Sequence, residues 1–121
     1  MEEFYQRVQV YLNMEEEIDF DEFEAFYKEV MKELDANGLE LEEEDLWKAL
    51  FIVESLTSNA KSRIKEDKKK QKRKKYKKMH ERTKVWAQNF TLRLHRAGYN
   101  EDQINQRFEA MLAEDPTKEQ A

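Results

Sequence analysis

The chain has 121 residues, of which 40% are charged and 39% hydrophobic, with two glycines, one proline and no cysteine. Such a composition suits one modest core in a heavily solvated chain. It excludes disulfides, thiolate metal sites and thiol nucleophiles, and it leaves too little turn chemistry for a β-rich fold. The net charge of −5 conceals an asymmetry: residues 1–60 carry 18 Asp/Glu against 4 Lys/Arg, a balance of −14, and residues 61–121 carry 9 against 18, a balance of +9. That is the pattern of an interaction patch, or of two halves that attract each other.

No apolar run approaches the roughly 18 residues of a membrane span. The opening Met1-Glu2-Glu3 lacks a basic segment ahead of an apolar one. The expectation is a cytoplasmic or nuclear chain with no membrane partner.

In chain order, the first helix is expected from about Glu2 to Leu12, with Phe4, Val8, Tyr11 and Leu12 on one stripe. The second is marked by Phe23, Phe26, Tyr27, Val30, Met31 and Leu34 at amphipathic spacing. Asp19 and Glu22 form a capping-box pattern before it, and Asn37-Gly38 supplies a left-handed stop after it. The third begins near Glu42 and carries the broadest apolar face: Leu46, Trp47, Leu50, Phe51, Val53 and Leu56. Phe23, Phe26, Val30, Leu34, Leu46, Leu50 and Val53 are expected to form the core.

Between Thr57 and Ala97 there is neither Gly nor Pro. The third helix is therefore expected to run on through the basic stretch to Gly98, or to form two helices with a kink near Ser58, where Thr57, Ser58 and Asn59 compete for backbone hydrogen bonds. Val85, Trp86, Phe90, Leu92 and Leu94 predict a return to the core, and Gly98 a tight turn. The last helix starts at Asn100, an N-cap with Gln103 at its third position. It presents Ile104, Phe108, Met111 and Leu112 to the core, and Pro116 closes it.

Three starts share a hydrophobic staple, in which the residue before the cap packs on the fourth helical residue. The pairs are Ile18 with Phe23, Leu41 with Leu46, and Tyr99 with Ile104. The predicted fold is all-α: a small helical bundle with a long basic helix and a C-terminal helical hairpin. It divides into an acidic helical domain over 1–60, a basic helical segment over 61–84, the hairpin over 85–115 and a polar tail over 116–121.

From Lys61 to Lys78 there are twelve Lys/Arg against Glu66 and Asp67. The candidate nucleic-acid-binding residues are Lys68, Lys69, Lys70, Lys72, Arg73, Lys74, Lys75, Lys77 and Lys78. On a helix these charges surround the axis, which keeps the segment out of a core. Their density suits phosphate backbones, where each neutralised phosphate releases counterions without reading sequence, and also a nuclear-localisation signal. Tyr76 and His80 are candidates to stack on bases. The competing reading is a solvated spacer, or a strip that folds back on the acidic half.

Glu42, Glu43, Glu44 and Asp45 are the candidate partner-binding residues. Spread on a helical surface, carboxylates imitate a nucleic-acid backbone and can fill a basic groove of a protein partner. The same residues also stabilise a helix N-terminus with no partner at all.

The stretch Glu33-Leu34-Asp35-Ala36-Asn37-Gly38, followed by Glu44, is similar to the twelve-residue EF-hand loop. It departs from that pattern at position 1, where Glu33 replaces Asp, and at position 8, where Glu40 replaces an apolar residue. Leu94-His95-Arg96-Ala97-Gly98-Tyr99 leading into Ile104 resembles a helix-turn-helix, although Glu101, Asp102, Glu109 and Glu114 would repel phosphate.

His80 and His95 stand in no catalytic or ligand motif, and no phosphate loop or nucleophile elbow occurs. The expectation is a non-enzymatic adaptor or regulatory protein, without cofactor or metal, that binds a macromolecular partner through charged helical surfaces. A protein partner is expected, with nucleic-acid contact by the basic helix. The alternatives are an acidic inhibitor or nucleic-acid mimic and, with less support, a calcium-responsive switch. Oligomeric state is not legible.

Overall fold

The computed structural model describes residues 1–114, which form five α-helices and one 3-10 turn. These are α1 (Glu2–Leu12), α2 (Phe20–Asn37), a 3-10 turn (Gly38–Glu40), α3 (Glu43–Glu66), α4 (Lys70–Arg96) and α5 (Glu101–Leu112). There is no strand among the described residues. The all-α bundle follows from the stripes. All seven expected core residues are buried, with Val30 and Val53 fully enclosed.

Two of the three start signals cap their helices, the Asp19–Glu22 box in one direction and the Asn100–Gln103 box in both, while Glu42 makes no side-chain cap. Asp19 Oδ1 accepts the Glu22 backbone N–H at 2.9 Å, and Asn100 and Gln103 close a reciprocal capping box, each satisfying amides left without a partner in the first turn.

The centre of the molecule is the antiparallel pair α3 and α4. Thr57 faces Thr83, their hydroxyls 2.8 Å apart, and Arg63 faces Tyr76, so each step forward in α3 is matched by a step back in α4. On α4 the buried residues Tyr76, Met79, Thr83, Ala87, Phe90 and Leu94 advance in steps of three and four, the spacing that keeps one seam against a neighbouring helix. Ala60, Thr83 and Ala87 are small enough to let the backbones close. The two threonine hydroxyls also reach the Val53 and Met79 carbonyls at 2.7 and 2.8 Å, so a polar layer is buried without orphaned groups.

This arrangement corrects the expectation of one rod to Gly98, or of a kink near Ser58. Thr57 and Asn59 lie within α3, their side chains bonded to Val53 and Arg63. The chain instead reverses at Asp67–Lys69. Asp67 leaves the helix with ψ 127° and its Oδ1 accepts the Lys69 N–H at 2.8 Å, an Asx turn that needs neither glycine nor proline. Arg73 Nε reaches back to the Ile64 carbonyl at 3.1 Å and satisfies a last-turn acceptor of α3. The basic run is thus divided between the end of α3, the turn and the first half of α4. The expected boundaries after 60 and 84 fall inside α3 and α4, and the core runs across both.

The stop after α2 also differs. Gly38 has φ −57°, so it is not a left-handed cap. It is glycine because the Trp86 ring lies against it: a Cβ there would come within 2.7 Å of that ring. The left-handed stop occurs at Gly98, φ 107°. Its N–H bonds to the His95 carbonyl while that of Tyr99 bonds to Leu94, the paired bonds of a Schellman ending.

α1 and α5 cover the base of the pair. Tyr5 stacks edge-on against Phe51 and Phe108 packs against the same ring. Tyr5 donates to Glu114 Oε2 at 2.6 Å, and the buried Gln9 amide donates to the Met111 carbonyl. Leu12, Val85, Leu92 and Leu112, assigned to the core from sequence, are 45 to 65% exposed, because Tyr5 and Gln9 on α1, and Ala87 and Phe90 on α4, turn inward instead. Pro116 and the tail lie outside the described residues.

Leu50, 3% exposed, sits within this base, and Leu50→Ala is expected to cost about 2–5 kcal/mol through reduced burial and the cavity left behind. Urea unfolding followed by circular dichroism checks it; a cost within experimental error contradicts this packing.

Candidate nucleic-acid interface

The twelve basic residues gather at the tip of the α3–α4 hairpin. Of the nine candidates, Lys72 is half-buried and the other eight are exposed. Helical spacing places Lys70, Lys74, Lys77 and Lys78 on the side of α4 opposite Tyr76, Met79 and Thr83, so they form one outward stripe. None of these four makes an ion pair or a side-chain hydrogen bond among the described residues. Lys68 and Lys69 lie in the turn, where they crowd an α4 N-terminus that has no acidic residue in its first turn. That end of the helix is already electropositive, so cations there repel one another and concentrate positive potential.

The remaining candidates have intramolecular work. Lys75 pairs with Glu24 at 3.5 Å, and Lys72 and Lys75 stand 5.2 and 5.4 Å from the centre of the Phe20 ring. Arg73 caps α3. Among the described residues, Lys75–Glu24 is the single ion pair between the basic run and the acidic half, so most of these cations have no acidic partner within the chain.

Arg63 is the inner member of the run, and sequence reading did not distinguish it from its neighbours. It is 8% exposed. Its guanidinium bonds Asn59 Oδ1 at 2.6 Å, the Tyr76 hydroxyl at 3.3 Å and the Ile18 carbonyl at 2.6 Å, and it lies 4.6 Å from the centre of the Phe23 ring. A planar fork of donors suits this set of acceptors, and a lysine does not. The available signal was position: Arg63 falls on the inward seam that continues from Leu56 and Ala60.

Tyr76 was expected to be free to stack on bases, and the structure corrects this. It is 2% exposed, edge-on to Phe20 and Phe23, with Arg63 on its hydroxyl. The reading that charge surrounds the axis and keeps this segment from the core fails for the same reason, since Tyr76 and Met79 form an inward stripe between the lysines. His80 is half-buried in a groove beside the stripe. The tip therefore offers charge without an aromatic platform.

Glu42, Glu43, Glu44 and Asp45 lie at the opposite end, at the N-terminus of α3. Glu42 is the N-cap residue but its side chain makes no capping bond, and the other three occupy the first turn. From there to Glu66 the helix is about 35 Å long at 1.5 Å per residue, so this cluster does not reach the lysines. The residues of the EF-hand-like stretch are spread over α2, the 3-10 turn and α3: Glu33, Asp35 and Asn37 are helical, as is Glu44. No cluster of three metal-ligating side chains exists among the described residues. The helix-turn-helix-like segment is the Gly98 turn between α4 and α5, where His95 Nδ1 lies 2.9 Å from the Tyr99 carbonyl.

Two open grooves flank the pair on the side away from α2, of about 610 and 420 Å³. Both are lined by Glu54, Thr91 and His95. Glu54 is half-buried and has no hydrogen-bond or ion-pair partner among the described residues, and burial alone raises its carboxyl above the usual carboxylate range.

No helix of the described residues is long and apolar enough to cross a membrane. No protein-family model, curated protein or solved structure matches this chain.

Two expectations follow from the buried charges. Arg63→Lys keeps the charge but loses the fork, and should destabilise the fold by about 2 kcal/mol or more; unchanged urea stability would refute that role. At dilution where the chain is monomeric, Glu54→Gln should raise stability at neutral pH, because a carboxyl with a raised folded pKa favours folding only while protonated. The advantage over wild type should vanish as pH falls below the unfolded carboxylate value near 4.5. Thermal unfolding across pH measures it, and a gain that persists in acid would contradict the assignment.

Proposed function

We propose that this chain is a non-enzymatic adaptor or regulatory protein whose hairpin tip binds the phosphate backbone of a nucleic acid. The observation that carries the reading is the outward stripe Lys70, Lys74, Lys77 and Lys78, exposed and free of internal partners among the described residues, beside the lysine-rich turn. Cations left unpaired on a rigid helix suit a run of phosphates, because binding releases condensed counterions without the cost of breaking internal pairs. Burial of Tyr76 removes base stacking from the interaction, and Gln71 is the one amide side chain beside the four lysines of the stripe, too little to read a run of base edges. Recognition by charge and shape, independent of sequence, is the mode these residues support.

A second reading has an observation of its own. Glu42, Glu43 and Glu44 are exposed at the far end of α3 and make no ion pair among the described residues. They suit a basic surface of a protein partner. Since the two charged ends are separate, both kinds of binding are compatible in one adaptor.

The stripe is tested by salt. Wild type should bind duplex DNA or RNA with little sequence preference, and log affinity should fall linearly with log salt. Lys70→Gln, Lys74→Gln, Lys77→Gln and Lys78→Gln combined should weaken binding and flatten that slope by about three to four, roughly 0.9 for each phosphate no longer neutralised. Fluorescence anisotropy at several salt concentrations gives both quantities, with circular dichroism confirming the fold. Absence of binding to either duplex at low salt overturns the reading and leaves the acidic end as the functional surface.

A further inference from the structure

The open face of the α3–α4 pair carries a charge order that is its own complement. Thr57 faces Thr83, which sets Lys84 level with Leu56 and Glu54 level with Trp86. These two groove charges therefore stand within about 3 Å of one height along the hairpin. Lys61 lines the same groove about two turns nearer the tip. Glu101, at the start of α5, lines the adjoining groove with Leu50 and Thr91, toward the base. From tip to base the order is Lys61, Lys84, Glu54, Glu101. Inverted about the midpoint between Lys84 and Glu54, it reads carboxylate where it read cation.

From this we infer that the open face is a two-fold interface, on which a second copy of this chain docks antiparallel. In that apposition Lys84 of each copy meets Glu54 of the other across the shared groove, and Lys61 meets Glu101. An isologous interface requires this exchange, in which residue i meets j and j meets i. The partner supplies the charge that Glu54 lacks among the described residues of its own chain. Leu92 lines the groove and Val85 lies one heptad before it on α4; they are 49 and 65% exposed, and they give the interface an apolar rim. The ends of the molecule fix the direction. Antiparallel docking keeps the two lysine-rich tips at opposite ends of the dimer, whereas parallel docking would place them together. Two such hairpins form a four-helix layer of ordinary kind.

Sedimentation velocity over a concentration series tests it on the full chain. Wild type should show a monomer–dimer equilibrium that weakens with added salt. Lys84→Glu and Glu54→Lys should each raise the dissociation constant by at least about tenfold, since each sets like charges together twice across the two-fold. The double charge exchange should return it to within about threefold of wild type, the non-additivity expected of groups that touch. Lys61→Glu and Glu101→Lys, both at exposed positions, repeat the cycle should Glu54→Lys disturb folding. A chain that stays monomeric at low salt overturns the inference. So does a dimer that ignores the single reversals, or one that the paired exchanges fail to restore.

Discussion

Two buried or half-buried arginines hold the acidic half of the chain onto the α3–α4 hairpin, and the path of everything between them depends on these two anchors. Arg63 of α3 donates to the Ile18 carbonyl just ahead of α2. Arg93 of α4 donates to the carbonyls of Gly38, Leu39 and Leu41 just after it. Both ends of α2 are thereby fixed through backbone oxygens. Irregular segments expose carbonyls that cannot be left unpaired against a core, and a guanidinium satisfies several at once in a fixed geometry. The opposite charges of the two halves suggest that carboxylates would receive the arginines. The acceptors are instead neutral, which leaves the carboxylates and most of the lysines facing water.

That division gives the molecule its polarity. With Arg63 and Arg73 engaged by the fold, the free cations around the turn are lysines, compact and strongly hydrated. Glu42, Glu43 and Glu44, exposed and outside any ion pair among the described residues, stand at the other end of α3. The Thr57–Thr83 layer and the small residues Ala60 and Ala87 hold the two long helices close enough that the separation is rigid. A surface of solvated lysines on a fixed frame is what the proposed phosphate binding uses, and the order of charges along the open face is what the proposed pairing of two copies uses.

Much of the architecture was legible in the sequence because it follows from local chemistry. The stripes of α2 and α3 give the buried set, and Asp19 and Asn100 cap helices as their spacing indicates. The reversal at Asp67 was not legible, since an Asx turn within a lysine run lacks the glycine or proline by which turns are usually recognised. The role of Gly38 was misread for a related reason: it is set by a tryptophan 48 positions away, and proximity of that kind is not written in neighbouring residues. At the candidate interface, residue type indicated the cluster of cations but not its division into an outward stripe, capping residues and a buried guanidinium. The stripe could have been found by following Tyr76, Met79 and Thr83 as a heptad seam through the charges. Glu54 gave no signal at all, because its environment is made by the gap between two helices.

The bond from Tyr5 to Glu114 joins residues 109 apart in sequence, whereas α3 and α4 meet across a turn of three residues. Closing a long loop costs more chain entropy than closing a short one, and non-local pairings of this kind slow folding. The hairpin is therefore the natural nucleus, able to form while both flanking segments are still unstructured. α1 and α5 then dock on a frame already in place, and the bond between them is the last to form. On this view the charged tip belongs to the earliest part of the chain to take shape, and the Tyr5–Glu114 end to the first part that opens.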